Sequence, residues 1–183
     1  VLTRTIETRL GVNKIEVKDE FENAGFTAQP FMLLYHMNFG YPFLSEDSEL
    51  VMPAGRIKPR TAEAEKGIST WRELSEPIHG YREQCFYHDF DGDQEGIVRV
   101  GLFNPKLGSY GTGIYLTYRK EELPCFCQWK QLGEQEYVMG LIPSNGYAEG
   151  RRAAREHGEL VMLEPGEKKT VTLEISVEEA RQF

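Results

Sequence analysis

The sequence predicts an all-β protein, a sandwich of short antiparallel strands. Three observations predict it. Segments that read as strands, joined by turn residues, recur about eight times, at spacings of ~8–15 residues. The 183 residues include 18 glycines and 9 prolines, a turn-rich balance that suits short strands better than long helices. Helical periodicity is nearly confined to one short stretch, Gly150–Gly158, closed by its final glycine. The length suits a single domain over residues 1–183.

The elements follow in order. Thr3–Leu10 interleaves β-branched residues with charges, and Lys14–Phe21 alternates Ile15 and Val17 with polar neighbours, so two strands flank a turn at Gly11-Val12-Asn13. Phe31–Phe39 is almost continuously apolar and reads as a strand buried on both faces, ended by Gly40-Tyr41-Pro42. From Ser45 to Gly80 the periodicity fails. Acids and Pro53, Pro59 and Pro77 mark a long excursion loop, with one or two helical turns at Thr61–Lys66 and Trp71 as its large apolar anchor. Glu83–Phe90 and Ile97–Phe103 form a hairpin across Asp91-Gly92-Asp93. Gly113–Tyr118, Cys125–Lys130, Tyr137–Ile142 and Lys169–Val177 complete the strands.

Composition narrows the function. The net charge is −8, with 21 Lys and Arg scattered among 29 Asp and Glu. A phosphate-backbone binder needs a basic face, so nucleic acid and anionic membranes are poor partners. An uncharged polar ligand suits this surface better. The three cysteines, Cys85, Cys125 and Cys127, are an odd number in a chain with no visible secretory leader, which favours a reducing, cytoplasmic setting over a disulfide framework. Cys125 and Cys127 share one strand face. No second Cys or His pair stands at zinc spacing, so no metal is expected. No nucleophile elbow, phosphate-cradling glycine loop or dinucleotide fingerprint occurs, and no cofactor is expected.

Several polar side chains could carry chemistry. His36 lies in the most apolar segment, and a histidine titrating near neutrality is the commonest general acid or base, although a hydrogen-bonded core histidine is the other reading. Glu83 opens a strand, where a carboxylate can orient a ligand hydroxyl or serve as a surface charge. His88 follows it by five residues, so strict alternation turns the two to opposite faces. Asp89, Asp91 and Asp93 resemble a fragment of a calcium loop, but the spacing suits a solvated turn. Sugar rings stack on flat aromatic faces while amides and charges read their hydroxyls. Gln128-Trp129-Lys130 brings all three kinds of group together.

At this point the sequence resembles a family. Leu34-Tyr35-His36-Met37-Asn38-Phe39-Gly40-Tyr41-Pro42 resembles a block of the aldose 1-epimerase-like proteins of the DUF4432 class. Glu83–His88, Asn104-Pro105, Gln128-Trp129-Lys130, Tyr137–Leu141, Gly150-Arg151 and Leu163-Glu164-Pro165-Gly166-Glu167 follow in the family's order. The resemblance implies a galactose mutarotase-like β-supersandwich that binds a small sugar in an open cleft. It implies His36 as the acid that protonates the ring oxygen and Glu83 as a ligand-orienting carboxylate, with Asn38, Tyr41, His88, Gln128, Trp129, Lys130, Asn145 and Arg151 as candidate substrate contacts. The family's catalytic base stands in a G-L-E-P pattern, where this chain has Gly140-Leu141-Ile142-Pro143. Isoleucine takes no proton. Either Glu83 assumes the role in anomer interconversion, or the protein binds sugar without epimerising it. The resemblance covers the C-terminal portion of the family's usual length, which implies truncation at the N-terminus and an exposed sheet suited to a homodimer.

Overall fold

The computed structural model describes residues 1–179. Thirteen strands run along them: β1 (Leu2–Thr8), β2 (Lys14–Glu22), β3 (Gln29–Pro30), β4 (Met37–Gly40), β5 (Glu49–Val51), β6 (Gly55–Pro59), β7 (Gln84–Phe90), β8 (Ile97–Asn104), β9 (Thr112–Arg119), β10 (Cys125–Leu132), β11 (Tyr137–Ser144), β12 (Met162–Leu163) and β13 (Lys168–Glu179). Two short helices, α1 (Ala62–Lys66) and α2 (Arg151–Glu156), and a single 3-10 turn at Ile68–Thr70 interrupt them. None of these helices is long and apolar enough to cross a membrane.

The strands form a six-stranded sheet in the order β1-β2-β13-β9-β8-β5 and a five-stranded sheet in the order β4-β11-β10-β7-β6. Every pairing between these strands is antiparallel, and β12-β3 makes a small two-stranded ribbon. The all-β sandwich expected from the sequence is therefore present. Val98, Val100 and Leu102 of β8, Leu116 of β9, and Val171 and Leu173 of β13 pack with Phe126 and Leu132 of β10, Met139 and Leu141 of β11, and Phe39 of β4. Alternation supplies each set: the residues lie two apart, so one face of each strand is apolar.

A buried polar cluster also ties the layers. Asp19 of β2 has no exposed surface, and Arg4 of β1 donates two hydrogen bonds to it, at 2.7 and 2.6 Å. Tyr35, just ahead of β4, donates its hydroxyl to the same carboxylate at 2.6 Å. The guanidinium first, and then the phenol, hold the Asp19 carboxyl below the usual range against the opposing effect of burial.

Two expectations need correction. Phe31–Phe39 is not one strand buried on both faces. Only Met37–Gly40 joins the sheet, at its edge, beyond one isolated bridge between Leu34 and Ser144. Burial alternates along it: Tyr35 and Phe39 are buried, whereas Leu34, His36 and Asn38 are exposed, because no layer covers the outer side. The excursion from Ser45 to Gly80 likewise contains two edge strands, β5 and β6. They are three and five residues long, too short to show periodicity, and Pro59 ends β6 where no donor is needed. Helix α1 lies where the helical turns were expected, with the Thr61 hydroxyl accepting from the Ala64 amide at 3.2 Å.

Candidate functional site

The outer face of the five-stranded sheet carries a cleft of about 230 Å³, lined chiefly by His36, Arg60, Glu83, Cys85, Cys127, Trp129 and Ile142. Register assembles it. Asn38 faces Gly140, Gly140 faces Trp129, and Trp129 faces Cys85 across four strands in one row. The next row runs Ile142, Cys127, Tyr87 and Lys58. A glycine at position 140 is required by space. A Cβ there would lie 3.2 Å from His36 Cε1 and 3.1 Å from Trp129 Cβ, so the bare backbone lets the two rings close in from either side.

Trp129 is the centre of the arrangement. The His36 ring meets the indole edge-on, with centroids 5.7 Å apart. The indole Nε1–H donates to Glu83 Oε2 at 2.7 Å, fixing a carboxylate that is otherwise exposed. An imidazole and a carboxylate thus flank the indole of Trp129 in the cleft. Below them the floor is apolar, made of Cys85, Tyr87, Cys127 and Ile142. Arg60 closes one side, donating from Nη2 to the Ala148 carbonyl at 2.8 Å and bringing Nη1 to 4.0 Å from Cys85 Sγ.

The other sequence candidates divide by strand parity. Gln128 and Lys130 flank Trp129 in sequence but point to the inner face, fully or almost fully buried. His88 joins them there, opposite in direction to Glu83, as the five-residue spacing predicts. The His88 Nε2–H donates to Gln128 Oε1 at 3.0 Å, and Gln128 Nε2 donates to the Trp71 carbonyl at 3.0 Å. Lys130 Nζ donates to the Thr70 carbonyl at 2.9 Å. These side chains fasten the segment after α1 beneath the sheet and lie away from the cleft. Burial drives the His88 pKa down to about 4, and it lowers the Lys130 pKa as well.

Asn145 bridges the Leu33 amide and the Phe31 carbonyl, at 2.7 and 2.9 Å, so it fixes the approach to His36. Tyr41, 81% exposed, and Arg151, at the start of α2, lie outside the cleft lining. Asn38 is exposed on β4, in the row of Trp129. Asp89 pairs with Arg56 and Lys120, and Asp93 Oδ1 accepts the amides of Glu95 and Ile97 as a turn cap. Among the described residues no group of three or more His, Cys, Asp or Glu could hold a metal ion. Sequence reasoning misses Arg60, which follows β6 directly and lies in the stretch that reads as an excursion loop. It placed Cys125 and Cys127 on one face, and alternation from Glu83 would have added Cys85 to that face.

The profile of the domain of unknown function DUF4432 matches residues 1–177. The chain belongs to the DUF4432 family. The DUF4432 chain superposes on the crystal structure of a "putative aldose 1-epimerase" from Klebsiella pneumoniae with a TM-score of 0.89 and 24% identity, covering 96% of this chain and 46% of that one. A TPR-domain containing protein from Parabacteroides distasonis gives a TM-score of 0.68 at 13% identity, over 100% of this chain and 31% of that one. A galactose mutarotase related enzyme from Lactobacillus acidophilus gives 0.64 at 14% identity, over 99% of this chain and 64% of that one. No curated protein matches the sequence. The chain spans less than two thirds of the length of each of these structures, and at such identities the likeness establishes the galactose mutarotase-like fold alone.

Proposed function

We propose that the cleft binds a small free sugar and interconverts its anomers by acid–base chemistry. The observation that carries this reading is Trp129 flanked by His36 on one side and Glu83 on the other, in one solvent-open cleft. A sugar ring stacks on the indole. His36 gives a proton to the ring oxygen as the C1–O5 bond breaks, while Glu83 takes the proton of the anomeric hydroxyl. The aldehyde formed rotates about the C1–C2 bond, and the reverse transfers close the ring as the other anomer. Three free cysteines are consistent with a reducing, cytoplasmic setting. The exposed edge strand β1 is consistent with pairing to a second copy.

A second reading has its own observation. Ile142 stands in the apolar floor, 5% exposed, where the family pattern has a glutamate, so the cleft would bind sugar without turning it over. Saturation-transfer NMR on a panel of aldoses separates the two. Enhanced exchange between anomers that disappears in His36→Ala is the expected result. Binding without enhanced exchange for every sugar leaves the binding-only reading, and no binding at all removes both.

A further inference from the structure

The cleft floor holds a pair of thiols that sugar chemistry does not use. Cys127 faces Tyr87 across β10 and β7, and Trp129 faces Cys85, so the two cysteines are diagonal neighbours on one sheet face. Both side chains line the cleft, and each thiol is the leading influence on the acidity of the other. Arg60 Nη1 lies 4.0 Å from Cys85 Sγ, so one of the two sulfurs faces a fixed positive charge. Cys125 points to the same face but is held two residues further along β10 and is not part of the apolar floor cluster. We propose that Cys85 and Cys127 are a peroxide-responsive dithiol that closes to a reversible disulfide across the cleft floor.

The asymmetry of the pair sets the roles. The Cys127 thiol, then Arg60, favour the thiolate of Cys85 and lower its pKa, whereas the neighbouring Cys85 sulfur first and burial second keep Cys127 protonated. The Cys85 thiolate attacks one oxygen of hydrogen peroxide. The O–O bond breaks, hydroxide leaves and takes a proton to become water, and Cys85 becomes a sulfenic acid. The Cys127 sulfur gives up its proton and attacks the Cys85 sulfur. The S–S bond forms, the S–O bond breaks and a second water leaves. One peroxide is reduced to two waters while the two thiols lose two hydrogens. Thiol exchange with a dithiol reductant reverses the bond.

Peptide mapping of the peroxide-treated chain tests this. Trypsin leaves Cys85 in the peptide 83–99 and both other cysteines in 121–130, so Cys125→Ser is mapped beside the natural sequence to assign the partner. The expected result is a link between the two peptides within one chain, two hydrogens lighter, with free thiols falling from three to one and restored by dithiothreitol. The link persists in Cys125→Ser. In Cys127→Ser the reaction stops at a Cys85 sulfenic acid trapped by dimedone. A bond through Cys125, a bond between two chains, or Cys85 that passes to sulfinic acid or stays reduced in the natural sequence overturns the proposal. Because thiols and mass are read, the outcome is independent of whether any sugar binds.

Discussion

The two faces of the five-stranded sheet are made by the same strands, yet they treat polar groups in opposite ways. On the inner face His88, Gln128 and Lys130 are almost wholly buried, and each spends its hydrogen-bonding groups on the protein itself. On the outer face His36 and Glu83 are exposed, and Glu83 has a single tie, to Trp129. A buried polar group left unpaired costs roughly 1–3 kcal/mol, so the inner set must be satisfied internally for the fold to stand. The outer set carries no such obligation and is free to bind. One face holds the sandwich together, and the other leaves its imidazole and carboxylate open to solvent.

The largest expected effect lies on the inner side. Phe126 of β10 is 1% exposed and packs its ring against His88 and Phe90, at centroid distances of 5.8 and 5.0 Å. Phe126→Ala removes these contacts and leaves a cavity between layers that cannot fully collapse. A loss of about 3–5 kcal/mol in urea unfolding is expected. A loss below about 1 kcal/mol would break the distinction between the faces.

The second expected effect is a pH dependence of stability that belongs to the inner histidine. His88 has a folded pKa of about 4 against an ordinary value of 6.5, because burial disfavours the imidazolium. Above pH 6.5 the ring is neutral in both states and the full stability is present. As the pH falls from 6.5 towards 4 the unfolded chain takes up a proton that the folded chain refuses, and stability declines. Below about pH 4 the folded ring also protonates and this contribution levels off. The gap of 2.5 pH units corresponds to about 3 kcal/mol. Urea unfolding of the natural chain and of His88→Asn between pH 7 and pH 4 reads it: the variant starts less stable, but its decline is shallower. Parallel declines would remove His88 as the source.

The same parity decided how much of this was legible in the sequence. Strands such as Glu83–Phe90 and Cys125–Lys130 announce themselves because they are rich in aromatic and apolar residues and bounded by turn residues, and the register rows that build the cleft run through them. Gln128-Trp129-Lys130 reads as one recognition group only if the pleat is ignored. Applying it sends the amide and the ammonium to the core and leaves the indole in the cleft. Arg60 was not legible, since it follows β6, a five-residue edge strand that runs from Gly55 to Pro59 and shows no alternation to read. The apolar run around His36 also misled. Phe31 to Phe39 is apolar enough for two buried faces, but whether a second layer covers an edge depends on tertiary packing that periodicity does not encode.

The smallest effect on stability and the sharpest effect on activity are expected together, at the cleft rim. His36 is exposed, and its ring is placed by an edge contact with Trp129 and by the bare backbone of Gly140. His36→Ala opens no interior cavity and leaves no buried group without a partner, so unfolding should shift by no more than about 0.5 kcal/mol. Glu83→Gln keeps an oxygen that can accept from the Trp129 indole, so it too should leave stability within about 0.5 kcal/mol while removing the carboxylate that accepts a proton. On the proposed mechanism each variant suppresses anomer exchange, and Glu83→Gln does so with sugar binding largely kept, because it leaves the proposed stacking surface of Trp129 in place. Unfolding curves and saturation-transfer spectra on the same samples check both halves. A variant that lost exchange only in proportion to its loss of folded protein would place His36 or Glu83 with the structural face after all.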